Sequence, residues 1–307
     1  MSSLYAPYAI RYETDAMSGT PALLGGITKQ SISAGSEESQ EAVAGAAYPL
    51  WVGLTGQKVM AEFTSRNIET ALTYLTPPCA VLAGVGVQQW QVKRTDGVVT
   101  AGATHRHADI ADGIVVPRRL VIPADGHAEI SYQVLARYDG TNAPLLFTET
   151  AALPAETLAD VARWAMGSYQ VGSIALDGNL NMEIDFGVKA EQIQTDGDVW
   201  AKYLDVSDYL AKITVRSVGT EQIADAGIPL VGKAAAHADS FAYIRQRDGG
   251  GFTAGSQHIK ITFDGLCYAD DVYDASGNQR GECSLITILK FDGTNAPLTF
   301  AMNEALP

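Results

Sequence analysis

The sequence predicts a mainly β protein made of two tandem copies of one domain, each a β-sandwich or partly closed barrel with a short helix. Three observations carry this. One signature occurs twice along the chain. Apolar residues recur at every second position over long stretches. Asp-Gly turn signals close these stretches in both halves.

The signature is Tyr138-Asp-Gly-Thr-Asn-Ala-Pro-Leu-Leu-Phe-Thr-Glu-Thr-Ala-Ala-Leu-Pro154. It returns as Phe291-Asp-Gly-Thr-Asn-Ala-Pro-Leu-Thr-Phe-Ala-Met-Asn-Glu-Ala-Leu-Pro307, with eleven of seventeen positions identical at a step of 153. The second copy ends at Pro307, so the first domain is expected to end near Pro154, giving domains 1–154 and 155–307. Thr100-Ala-Gly and His105 return as Thr253-Ala-Gly and His258. The stretch Gly19–Gly25 aligns with Gly172–Gly178, and Lys58-Val59 with Lys212-Ile213 at 154. Small loop insertions account for the drift of the offset.

From Ile174 to Val188 the residues alternate. Ile174, Leu176, Leu180, Met182, Ile184, Phe186 and Val188 share one face, and Asp177, Glu183 and Asp185 lie on the other. Period two predicts one long strand with a buried face and a wet, acidic face, bent at Gly178 and Gly187. Segments 112–123, 127–138, 258–268 and 283–291 also read as strands. A helix is expected at Ser65–Tyr74 with Ser65 as N-cap, and another at about Thr220–Ala226. Segments 35–57 and 189–210 read as long loops. They hold Tyr48 and Trp51 in the first copy and Trp200, Tyr203 and Tyr209 in the second. Such aromatics either fold back onto their own domain or dock a partner.

The chain has 307 residues, 47% of them hydrophobic, which suffices for two cores. No apolar run is long enough to span a membrane. Met1–Tyr12 has no basic segment followed by an apolar core, so the sequence predicts folding in the cytoplasm. The net charge of −14 disfavours binding to nucleic-acid phosphate. Cys267 and Cys283 fall opposite Ile114 and Ile130, as buried apolar positions would; Cys79 has no such assignment.

The order strand, long loop, return strand, short helix resembles a known family. In the first copy it runs through Ser31–Ser39, Gly56–Ser65 and Asn67–Leu72. In the second it runs through Leu180–Val188, Gln192–Tyr209, Ala211–Ser217 and the Thr220 segment. Each copy looks like a phage tail tube domain, a fold shared with type VI secretion tube proteins. Some siphophage tail tube proteins are similar in carrying two fused copies. The resemblance implies a structural virion protein without catalytic or cofactor function. Three chains would close a pseudo-hexameric ring, and stacked rings would form a tube passing duplex DNA. Its partners would be itself and other tail proteins. Its place would be the virion tail, after assembly in the host cytoplasm. Asp177, Glu183 and Asp185 become candidates for a lumen that repels phosphate. Tyr48, Trp51, Trp200, Tyr203 and Tyr209 become candidates for ring stacking. Two alternatives stand beside this: a distal tail, adaptor or type VI-like ring, and a monomeric two-domain carbohydrate-binding decoration protein.

Chemistry is sparse. His105-Arg-His107 places two imidazoles on one strand face, with His127 as a conceivable third metal ligand, but the second copy has Lys260 opposite His107. Surface or turn histidines are the expectation. No phosphate loop, GxSxG or HExxH occurs.

Overall fold

The same order of elements occurs twice. The computed structural model describes residues 3–13, 22–45, 47–75, 82–83, 86–156, 158, 161–219, 235–248, 251–270 and 281–306. The first copy contains β1 (Ser3–Glu13), β2 (Ala22–Leu24), β3 (Ile27–Ser33), β4 (Ser36–Glu41), β5 (Trp51–Gln57), β6 (Met60–Ser65), α1 (Ile68–Leu75), β7 (Leu82–Ala83), β8 (Gly86–Thr95), β9 (Val98–Val99), β10 (His105–Ile110), β11 (Gly113–Pro123), β12 (Glu129–Ala136) and β13 (Leu146–Ala151). The second contains β14 (Arg163–Val171), β15 (Ile174–Leu176), β16 (Asn179–Asp185), β17 (Val188–Ile193), β18 (Tyr203–Tyr209), β19 (Lys212–Ser217), β20 (Ala235–Asp248), β21 (Gly251–Phe252), β22 (His258–Ala269), β23 (Cys283–Leu289) and β24 (Leu298–Glu304).

In the first copy β13-β10-β8-β1-β2, with β9 on β8, form one sheet. It packs on β11-β12-β6-β3. Gln30 and Gln89 tie the layers, donating to the carbonyls of Trp90 and Glu62. In the second copy β22 runs through both layers, bonding β20, β24 and β23, so the layers merge into one sheet. Gly265 permits the close passage of β22 past β23: a Cβ there would meet the Ile288 carbonyl oxygen at 2.2 Å. The cores match. Phe63 stacks on Tyr132 at 5.1 Å, and Tyr169 on Phe263 at 5.5 Å, all four fully buried. Each such side chain contributes about 1.5–3 kcal/mol by burial alone.

The expected long strand over 174–188 is three strands. Gly178 and Gly187 adopt φ of 70° and 58°, a left-handed conformation that ends a strand. Alternation nevertheless holds inside the pieces: Met182 and Ile184 are fully buried, while Asp185 is exposed. The expected loops 35–57 and 189–210 are hairpins, β4–β5 and β17–β18. Their residues face outward on both sides in β4, so no apolar period marks them. The helix α1 forms, but Asn67 caps it: its Oδ1 accepts the Thr70 N–H at 3.4 Å. Ser65 instead bridges, accepting the Asn67 N–H and donating to the Gly25 carbonyl. The expected helix at 220–226, like Cys79, lies outside the described residues. Cys267 and Cys283 are buried free thiols, and burial pushes both pKa values up.

Hydrogen bonds set the register of the repeat. Ser65 Oγ donates to Gly25 O and Ser217 Oγ to Asp177 O, each at 2.9 Å. Gly26 O accepts from Arg66, and Gly178 O from Val218. Gly26 therefore corresponds to Gly178, and Met60 to Lys212, a step of 152. The alignments of Gly25 with Gly178 and of Lys58 with Lys212 are corrected accordingly. Short Gly and Lys-Val/Ile matches drew them one and two residues out of place. From His105 and His258 onward the step is 153, since each imidazole Nδ1 accepts a strand N–H, of Lys93 and Gln246 respectively.

Candidate assembly surface

The two domains share one sheet. In β11, Arg119–Pro123 pair antiparallel with β16 residues Asn181–Asp185, so a 14-stranded sheet crosses the domain boundary. The hairpin β17–β18 strengthens this seam by reaching over the first domain. Gln192 Nε2 donates to two first-domain carbonyls, Val59 O at 2.9 Å and Ala136 O at 2.8 Å. Trp200 Nε1 donates to Gln57 Oε1 at 2.8 Å, and its ring lies 4.8 Å from that of Tyr138. Backbone bonds join Gln57 N–H to Val199 O and Tyr138 N–H to Ala201 O. Leu204 and Val206 of β18 are partly buried against the core.

The first copy carries the same device on the opposite side. β3, the counterpart of β16, ends the sheet and bonds β6 alone among the described strands. The hairpin β4–β5 repeats β17–β18 pair for pair: Ser36↔Gln57 matches Val188↔Tyr209, and Gln40↔Val52 matches Gln192↔Leu204. Even the bulge recurs, between Glu37 and Glu38 and between Lys189 and Ala190. Tyr48 stands where Trp200 stands, Val52 and Leu54 where Leu204 and Val206 stand. Here these positions are bare: Tyr48 is 80% exposed, Val52 64% and Leu54 50%.

The other site residues fall in two groups. Glu183 and Asp185 share the solvent face of β16, whereas Asp177 lies between β15 and β16. That face is not uniformly acidic. Directly neighbouring positions across the sheet run Ile288, Lys212, Asp185, Arg119, Ser131, Thr64 and Lys29. Arg119 also pairs with Glu183, Arg66 with Glu129 and Arg216 with Glu282. Asp185 has a backbone duty besides, accepting the Gly187 N–H at 2.9 Å. Of the aromatics, Trp200 is engaged within the chain, while Tyr48, Trp51, Tyr203 and Tyr209 are exposed. Sequence reasoning missed Gln192, Gln40 and Phe291. The step of 152 or 153 was the signal available for them.

Two histidines, His105 and His258, are buried structural groups, whereas His127 is exposed, as expected of a surface histidine. His105 and His258 are buried acceptors, and burial with nearby Arg245 holds the His258 pKa below its ordinary value. His107 lies against Trp90, ring centres 4.3 Å apart, and its Nδ1 is 2.7 Å from Asp109. His127 has its pKa lowered by burial and by Arg163. Among the described residues no group of three His, Cys, Asp or Glu side chains converges as a metal site would. The repeated Asp-Gly-Thr-Asn signature is a turn. Asp139 Oδ1 accepts the N–H groups of Asn142 and Thr141, and Asp292 repeats this with Asn295 and Thr294. These bonds hold both carboxyls below the usual range.

No protein-family model matches the chain, and no curated protein is significantly similar to it in sequence. No described helix is long and apolar enough to cross a membrane.

Proposed function

We propose that the chain is a structural subunit that polymerises head to tail into closed rings, and that stacked rings form the tube of a phage tail. One observation carries this: the second domain adds its β16 to the first domain's β11, and the equivalent strand β3 ends the sheet with an edge that no other described strand pairs. An exposed edge strand is a template for another chain. A contact between unlike surfaces repeats until the rotation closes, giving a ring, or runs on as a filament.

On either side of the seam each copy has a run of four consecutive strands, β3, β6, β12 and β11 in the first and β16, β19, β23 and β22 in the second. Three chains would supply about 24 strands, which at ~4.8 Å spacing and roughly 40–45° tilt make a barrel on the order of 50 Å across. A lumen lined by the outward face of β16 would present carboxylates alternating with cations, as in Asp185 between Lys212 and Arg119. Phosphate then meets no uninterrupted cationic track. The proposed setting is the virion tail, with other tail proteins as neighbours and duplex DNA in transit, and no catalysis is assigned.

Mass photometry and class averages of concentrated protein test this. Three-chain rings of sixfold appearance, stacking into tubes, are expected. A strictly monomeric chain at every concentration would overturn the assembly, and six-chain rings would overturn the stoichiometry.

A further inference from the structure

We infer that the hairpin β4–β5 clasps the second domain of a neighbouring copy of this chain, side by side within a ring, with Tyr48 on Phe291 and Gln40 on the ends of β19 and β23. The inference rests on the ring assembly proposed above and names its lateral contact.

The occupant follows from the seam inside the chain. There the hairpin β17–β18 covers the domain whose β11 pairs with β16. The hairpin β4–β5 has the same register and the same bulge, and it leaves from β3, whose outer edge is open among the described strands. Whatever pairs with β3 therefore lies under β4–β5. The matching receiving surface is on the second domain. Tyr138, which receives Trp200, corresponds to Phe291, and Phe291 is 59% exposed. Val59 and Ala136, whose carbonyls receive Gln192, correspond to Ala211 and Leu289. Gln57, the partner of the Trp200 indole, corresponds to the exposed Tyr209.

The two surfaces suit one another. Tyr48 would meet Phe291 and Tyr209, an all-aromatic contact in place of the tilted ring contact and hydrogen bond at Trp200. In the cleft beneath β17, lined by Met60 and Ala190 among others, the counterparts are Lys212 and Glu38. Two apolar lining positions inside the chain become positions of opposite charge between chains. Val52 and Leu54 would be covered as Leu204 and Val206 already are. A contact between stacked rings would give no reason for receptor and hairpin to agree position by position with the internal seam.

Cross-linking tests the contact. The full chain carries Tyr48→Cys and Phe291→Cys with Cys79→Ser; Cys267 and Cys283 are buried. Assembled protein is treated with a short bismaleimide and resolved by denaturing electrophoresis. A chain-to-chain ladder that needs both new cysteines and stops at one ring's number of chains is expected. Assembled rings without the 48–291 product, or with it only inside single chains, would overturn the clasp and leave ring formation standing. Should the substitutions block assembly, hydrogen exchange of the unaltered protein decides. Protection of 36–57 together with 286–291 on assembly supports the clasp; protection of 36–57 without 286–291 overturns it. An unaltered protein that never assembles removes ring and clasp together.

Discussion

Gln192 and Gln40 occupy equivalent places, yet their loss should have opposite signatures. Gln192 Nε2 donates to Val59 O and Ala136 O at 2.9 and 2.8 Å. Gln192→Ala removes both bonds, each worth about 0.5–1.5 kcal/mol net, so the seam should lose on the order of 2 kcal/mol. For a cooperative unit of about 150 residues, that lowers Tm by about 4–8 °C. Gln40 is exposed in the single chain, and Gln40→Ala should change monomer stability by less than about 0.5 kcal/mol. Thermal unfolding of dilute protein, followed by circular dichroism, gives both numbers. The concentration at which rings appear gives the complement: raised several-fold by Gln40→Ala at unchanged Tm. Equal thermal losses in the two variants would refute the reasoning, because each hairpin would then be held by its own domain.

Two further outcomes are expected. Asp177→Lys with Glu183→Lys should make assembled tubes retain duplex DNA at low salt and release it at moderate salt, as cationic contacts accumulate; Asp185 is spared because it holds the Gly187 N–H. No retention in a filter-binding assay at low salt would mean that this face lies away from the channel. The unfolded His258 imidazole binds a proton more readily than the folded one, so its contribution to stability is complete above 6.5 and declines as pH falls below that value. His258→Gln should flatten that part of the stability profile in denaturant titrations, and an unchanged slope would assign the loss to other groups.

The duplication and the inner strands were legible because burial writes period two into them. Met182 and Ile184 point inward, Glu183 outward, and the alternation survives in a single sequence. Outer strands were less legible. β1 is interrupted at Pro7, where its register with β8 shifts, and β8 buries Gln89 among apolar residues, so neither shows a clean period. The hairpins escaped for a related reason: a strand exposed on both faces, such as β4, needs no apolar alternation. The seam was illegible because pairing of β11 with β16 depends on long-range geometry. The clasp on it was half legible, since Trp200 stood out but its partners Gln57 and Tyr138 did not.

In the proposed ring, fusing two domains makes the joints unequal in kinetics. The β11–β16 joint closes intramolecularly, at an effective concentration in the millimolar range or above for a short connection. It forms however dilute the protein is. Only the proposed joint at β3 would have to be found by diffusion, so that joint alone would set the threshold for assembly. Val52, Leu54 and Tyr48 thus sit where added affinity lowers the threshold, whereas strengthening Gln192 or Trp200 would leave it unchanged.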